Sequence, residues 1–475
     1  MGPSHLVRGL LLALLALGAA QAQGAEIVVL VDDQLEAGKS LADEIWRHAE
    51  MGYLEEKSSA ALQAYLSEQG FALESGLAGI PTSFVASYGR GEPVIGILAE
   101  FDALPGLSQD AVPERAPRIE GAAGHACGHH LFGAASATAG VAIARWLDEN
   151  NRSGTVRVYG TPAEEGGSGK VYLTRAGLFD DVDVVLHWHP GDRNSASASS
   201  STANKSGRFT FHGVAAHAAS APDRGRSALD GVEAMNYMVN LMREHVPSNA
   251  RIHYVITDGG DAPNIVPETA QVYYYVRHPE AARVVKLFER VVKAAEAAAL
   301  GTETEMTYEV MHGNYPVLPN ETLARLVDGN LRNLGGFLYD DSERAFATTI
   351  RKTLGDDLLP IDSTNQVQPF AITQGMGSTD VGDVSWNVPT VGFRTATWVP
   401  GTPAHSWQAV AAGGTSIGHK GMGLAAKLIA RTAQDLIENP ELIDEARIEL
   451  EEKRGADFEY EALLGDREPP LDYRL

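Results

Sequence analysis

Three short strand-like runs, the first of them continuously apolar and each ending in a polar cluster, set the strongest limit on how this chain can fold. Residues 93–99 (PVIGILA) run into Glu100-Phe101-Asp102-Ala103-Leu104-Pro105. Residues 155–159 lead to Thr161-Pro162-Ala163-Glu164-Glu165-Gly166-Gly167, and residues 182–186 lead to His187-Trp188-His189-Pro190. A continuous apolar run such as 93–99 suits a strand buried on both faces, as in a parallel sheet covered by helices. Between them lie an alanine-rich stretch over 131–150 and a shorter one over 171–178, both of helical character. Strand, polar strand end, helix and strand in repetition predict an α/β fold with a mostly parallel sheet. In such a sheet the carboxyl ends of the strands gather along one edge, so polar groups far apart in sequence can meet there. Upstream, residues 41–69 carry apolar side chains at helical spacing and read as one helix with Glu55, Glu56 and Lys57 on its wet side.

The pattern changes after a serine- and alanine-rich stretch at 195–204 (SASASSSTAN), which has linker character. Beyond it come a strand (208–211), a helix (228–244), two strands (251–257 and 270–276), a helix (281–300) and a strand (303–310). The order β-α-β-β-α-β predicts a ferredoxin-like α+β unit. It is an insertion, because α/β features resume with a helix over 321–334, a strand over 390–393 and a helix over 420–439. The expected organisation is therefore 23–204 and 313–440 as two parts of one α/β domain and 205–312 as the inserted unit. Residues 441–475 are expected to be an acidic surface helix and tail. At 475 residues the chain has length enough for two cores.

A formal net charge of −24 leaves no basic surplus for phosphates, which argues against nucleic acid and against an anionic membrane surface. Arg8, the apolar run 9–20 and Ala20-Gln21-Ala22 have the form of a signal peptide over 1–22, predicting a periplasmic or secreted protein. The single cysteine rules out an internal disulfide.

That cysteine stands in Gly124-His125-Ala126-Cys127-Gly128-His129-His130. A thiol flanked by imidazoles on a glycine-hinged turn can hold a soft or borderline divalent metal, and a helix N-terminus just beyond favours a thiolate. A small buried cysteine beside capping histidines is the plainer alternative. Three further clusters fall at strand ends or loops: Glu164/Glu165, His187/His189 and His405. Together they offer thiolate, imidazole and carboxylate ligands enough for two metal ions with an open position for water. Adjacent glutamates suit a division of labour in which one binds metal and the other takes a proton. A cysteine nucleophile with His129 as base is a competing assignment, as is a binding protein with no catalysis. Gly166-Gly167-Ser168-Gly169-Lys170 has the wrong spacing for a phosphate loop, and no Gly-x-Ser-x-Gly elbow occurs.

These motifs, with Gly213 to Asp230 (GVAAHAASAPDRGRSALD), Ala262 to Glu268 (APNIVPE), Gly377 to Trp386 (GSTDVGDVSW) and Pro403-Ala404-His405-Ser406, resemble a known family. It is the amidohydrolase branch of the dinuclear metallopeptidases, with zinc aminoacylases and carboxypeptidase G-like enzymes. Within it the chain is most similar to the B-type subunits of p-aminobenzoyl-glutamate hydrolases and to related N-acyl-amino-acid and dipeptide hydrolases. The resemblance implies a zinc-peptidase-like catalytic domain and makes the insertion a lid and dimerisation domain. It implies two divalent ions, zinc or manganese, held by Cys127, His129, Glu165, His405 and one histidine of the 187/189 pair. The broader branch would select His187; the closer relatives select His189, the preferred ligand. It further implies Glu164 as general base acting on metal-activated water, and His217 reaching the partner subunit's site to stabilise the oxyanion. Asn264 and Arg277 would contact a small amide substrate. A homodimer, or an assembly with a second type of subunit, is expected.

Overall fold

The computed structural model describes residues 4–356 and 358–474, with side chains from residue 26 onward. The expected signal segment 1–22 lies outside the described side chains. In chain order the first elements are α1 (Ser4–His48), α2 (Glu56–Glu68), β1 (Ala72–Ser75), β2 (Phe84–Arg90), β3 (Val94–Ala99), α3 (His129–Glu149), β4 (Gly154–Gly160), α4 (Gly169–Arg175) and β5 (Val184–Gly191). Then come β6 (Ala198–Ser200), β7 (Ala203–His212), α5 (Ala228–Met242), β8 (Arg251–Asp258), β9 (Thr269–His278), α6 (Ala281–Thr302) and β10 (Glu305–Asn314). The chain closes with α7 (Glu321–Leu334), α8 (Asp341–Arg351), β11 (Ile372–Gln374), α9 (Val381–Ser385), β12 (Thr390–Ala396), α10 (Trp407–Gly413), α11 (Ser416–Glu438) and α12 (Glu441–Arg454).

The main sheet has the order β1-β2-β4-β3-β5-β12. Strands β4, β3, β5 and β12 are mutually parallel, and β1 and β2 add an antiparallel edge. Ile97, Leu98, Val158, Val184 and Leu186 are buried, and α1, α3 and α11 pack beside them in one core. Burying a Leu- or Val-sized side chain contributes about 1.5–3 kcal/mol, so this core outweighs any surface ion pair. The inserted unit is a four-stranded antiparallel sheet, β10-β7-β9-β8, with α5 and α6 on one face and its own core around Phe209, Phe211, Val272 and Val291. That is the ferredoxin-like order.

Three expectations fail locally. The helix over 41–69 is two helices, because Ala49 and Tyr53 adopt left-handed φ of 44° and 66° between them. The break drops Tyr53 and Glu55 into the interior, at 5% and 0% exposure. The supposed linker 195–204 contributes β6, which pairs in parallel with β11, and the start of β7. Beyond α12 the C-terminal segment packs against both units, with Leu463 in the core of the inserted sheet and Leu464 beside Tyr53 and Tyr172. Helix α8, with an Asp340/Glu343 capping box, was not expected at all.

Candidate active site

Four strand ends and one loop converge at the carboxyl edge of the main sheet. Strand β3 delivers Glu100 and Asp102, and β4 feeds the turn carrying Glu164 and Glu165. Strand β5 carries His187 and His189 within its last turns of pleat, and the chain after β12 brings His405. The Cys127 loop crosses above them and ends at Gly128, whose φ of 78° starts α3. A Cβ on Gly128 would lie 2.7 Å from Pro190 Cβ, so only glycine lets the loop approach the end of β5. The His405 N–H donates to the Ala126 carbonyl at 3.0 Å, fastening the two loops together.

Cys127 Sγ lies 3.2 Å from His189 Nε2. His189 Nδ1 faces the Pro190 carbonyl at 2.7 Å, which places its proton there and leaves the Nε2 lone pair toward the thiol. His129 Nδ1 is 2.8 Å from Asp102 Oδ1, and Asp102 Oδ2 accepts the Glu165 N–H at 2.9 Å. Asp102 therefore orients an imidazole and a carboxylate together. His405 Nε2 is 3.2 Å from Glu165 Oε1, with His405 itself at a left-handed φ of 59°. Such backbone is costly for a residue with a Cβ and concentrates at functional sites.

Three groups of side chains bring their ligand atoms within 4.8 Å of one another: Cys127/His129/His189, Cys127/Glu165/His405 and His129/Glu164/Glu165. Cys127 belongs to the first two. Glu165 Oε1 stands 3.2 Å from His405 Nε2, and His129 Nε2 stands 3.1 Å from Glu100 Oε2, neither pair in hydrogen-bond geometry. A thiol, imidazoles and carboxylates gathered this closely fit divalent cations.

His187 lies two residues behind His189, wedged against β12, where a Cβ on Gly392 would stand 2.2 Å from its Nε2. It belongs to none of the three groups. His125 and His130 point elsewhere, Nε2 of each facing a carbonyl, of Ile45 and Gly413. His217 and Asn264 meet each other in the inserted unit: a bridge links His217 to Ile265, and the Ala218 N–H donates to the Asn264 carbonyl. Both lie at the surface, apart from the groups that gather around Cys127. Arg277 stacks its guanidinium 5.4 Å from the Tyr275 ring centre, and its Nε is buried without a partner among the described residues.

Electrostatics below the cluster are strongly anionic. Lys170, fully buried, binds Glu100 and Asp380, each at 2.7 Å. Burial first, then Glu100, Glu165 and Asp380, holds the Glu164 carboxyl well above its ordinary range, with Lys170 pulling the other way. Burial likewise pushes the Cys127 thiol up, with Glu165 adding to it. Without a cation, burial and the neighbouring carboxylates oppose the thiolate that the α3 N-terminus favours. Burial alone would lower His129, but Cys127, Asp102 and Glu100 outweigh it and raise it. Tyr53, Glu55, Lys170 and Asp380 were not foreseen as parts of the site. A cleft of about 500 Å³ opens beside it, lined by Gly191, Arg394, Trp398, Thr402 and Ala404 among others.

Residues 201–303 match the peptidase dimerisation domain of the M20 family. The B-type subunit of the p-aminobenzoyl-glutamate hydrolase of Escherichia coli (strain K12) is 40% identical over 455 residues, covering 89% of this chain and 95% of that protein. The chain belongs to the M20 peptidase family. A Xaa-Arg dipeptidase of Mus musculus is 30% identical over 437 residues, covering 88% of this chain and 90% of its own length. In fold, a dinuclear metal-binding M20 peptidase of Bacillus subtilis superposes with a TM-score of 0.55 at 17% identity, over 86% of this chain and 99% of that one. This M20 member is an amidohydrolase of the metallopeptidase class, α/β with a dimerisation domain.

Proposed function

We propose that this M20 enzyme hydrolyses the amide bond of an N-acyl amino acid, of the p-aminobenzoyl-glutamate or dipeptide kind. The observation that carries this reading is the pair of adjacent glutamates. Glu165 turns one oxygen to His405, while the Glu164 carboxylate lies within 4.8 Å of a ligand atom of His129. Cys127, His129, Glu165, His189 and His405 would hold two divalent ions, zinc or manganese, with His187 behind them. When bound, such ions supply Lewis-acid polarisation of the carbonyl and a more acidic water. Glu164 accepts the proton of the attacking water and hands it to the leaving nitrogen.

His217 is offered to the site of a second subunit, where its imidazole donates to the developing oxyanion. Support for pairing comes from β8, an edge strand with Tyr254, Val255 and Ile256 exposed, beside exposed Tyr237 and Leu241 on α5. A homodimer is the preferred assembly. An assembly with a second kind of subunit is the alternative, since the Escherichia coli relative is itself one subunit type of its hydrolase. Asn264 and Arg277 would meet the amide and carboxylate of the substrate. The protein is further proposed to be exported, with residues 1–22 removed.

Replacing Glu164 by Gln tests the mechanism. Release of p-aminobenzoate or a free amino acid should fall by about a hundredfold or more while metal content is unchanged; full activity in the variant would end it. The cysteine-nucleophile reading has one feature in its favour, the 3.2 Å approach of Cys127, though to His189 and not to His129. Activity that survives EDTA would favour it.

A further inference from the structure

The turn that presents Glu164 and Glu165 is strained and held from outside. Ala163, Gly166 and Ser168 all have left-handed φ, of 58°, 91° and 61°. Two of the three are not glycine, so the surroundings must hold the turn in place. The Glu55 carboxylate accepts the Ala163 N–H at 2.8 Å, and the Tyr53 hydroxyl donates to the Gly167 carbonyl at 2.6 Å. Asp102 takes the Glu165 N–H.

The remaining contacts come from the far end of the chain. The Tyr473 hydroxyl donates to the Glu165 carbonyl at 3.2 Å, and Arg474 Nη2 donates to the same oxygen at 2.5 Å. Tyr473 stands edge-on against Tyr53, ring centres 5.5 Å apart, and the Arg474 guanidinium stacks on the Tyr473 ring at 4.8 Å.

The segment reaches that point along a fixed path. Tyr460 donates to Asp383 at 2.7 Å, and Leu463 enters the core of the inserted sheet. Where it crosses β10, a Cβ on Gly313 would lie 2.7 Å from the Leu464 nitrogen. Arg467 holds the Met311 carbonyl and the Glu309 carboxylate, at 2.7 and 2.6 Å. Arg175 donates to the Gly465 carbonyl at 2.6 Å. The strap thus touches α9 and α4, the inserted sheet and the glutamate turn.

We propose that Tyr473 and Arg474 are positioning residues for the Glu164/Glu165 pair. The direction of a side chain follows from the two peptide planes flanking its Cα. For Glu165 one plane is held by Asp102 through its N–H, and the other by Tyr473 and Arg474 through its carbonyl. Releasing the second plane frees the turn to relax its left-handed residues, and both carboxylates move with it. Errors of an ångström in such a group cost about a hundredfold in rate. This inference rests on the roles proposed above for Glu164 and Glu165, as base and ligand.

The test uses the full chain beside Tyr473→Phe, Arg474→Ala, Arg474→Lys and a chain ending at Leu471. Zn²⁺ affinity is titrated against a chelating dye, and kcat and KM are measured on an N-acyl amino acid. Tyr473→Phe/Arg474→Ala and the shortened chain should lose about tenfold or more in Zn²⁺ affinity and in kcat, with KM within about twofold. Arg474→Lys, which keeps a donor, should recover most of both, whatever the change in melting temperature. Unchanged Zn²⁺ affinity and kcat would overturn the proposal, and so would a rise in KM alone, which would make Arg474 a substrate contact. Should the shortened chain fail to fold, the point variants decide. Should the full chain hydrolyse no amide, the proposed function falls, and the Zn²⁺ titration still decides the role of the strap.

Discussion

Lys170 is the residue whose surroundings say most about how the site is kept charged. It is fully buried, between Glu100 and Asp380, and burial raises both of those carboxyls even with the ammonium beside them. Removing one partner of a buried ion pair leaves an uncompensated charge and costs about 3–5 kcal/mol. Lys170→Met should therefore lower unfolding stability by about that amount in urea. The loss should depend on pH in a definite direction. Carboxyls whose folded values are raised contribute their stability below the unfolded value and lose it as pH rises through the folded one. The variant should thus be closer to the parent at lower pH, near the ordinary carboxylate range, than at neutral pH and above. An equal loss at both would mean that the lysine acts through packing and not through charge.

Among elements, the Cys127 loop and the end of β5 depend on each other through Gly128. A Cβ there adds a left-handed penalty of about 1–3 kcal/mol and a 2.7 Å encounter with Pro190, the neighbour of His189. Gly128→Ala should lose stability in that range and should also bind Zn²⁺ more weakly, because the encounter moves Cys127 and His189 apart. Isothermal titration beside thermal melts separates the two effects.

The elements that deliver the site were readable because their signals are local. An unbroken apolar run marked β3, short valine-rich runs marked β4 and β5, and the polar groups just past each run are those the structure gathers. The break between α1 and α2 was not readable, since it turns on left-handed Ala49 and Tyr53, neither a residue type that announces a turn. Lys170 and Asp380 are 210 positions apart, and Tyr473 reaches Glu165 across 308. No periodicity encodes such contacts. The C-terminal segment spreads Tyr460, Leu463, Leu464 and Tyr473 among charges, a pattern that resembles a solvated tail until the two units give it something to pack on.

For the whole molecule, the arrangement of two units bears on where the oxyanion donor comes from. His217 and Asn264 lie at the surface of the inserted unit, apart from the groups around the chain's own Cys127. If His217 serves the partner subunit, two inactive variants can complement each other. Mixing Glu164→Gln with His217→Ala and allowing subunits to exchange should return roughly a quarter of parental activity, because half the dimers are mixed and each mixed dimer has one intact site. No recovery, with mixed dimers present by native mass spectrometry, would assign His217 to its own subunit or to no catalytic role.

Cys127 is thus proposed to act as a ligand of a two-metal site and not as a nucleophile. Metal content by inductively coupled plasma mass spectrometry, read beside amide hydrolysis before and after EDTA, tests it most directly. The expected result is two zinc or manganese ions per chain, activity lost with the metal and restored on its return, and loss of metal in Cys127→Ala. Retention of two ions without Cys127, or full activity in metal-free protein, would contradict it.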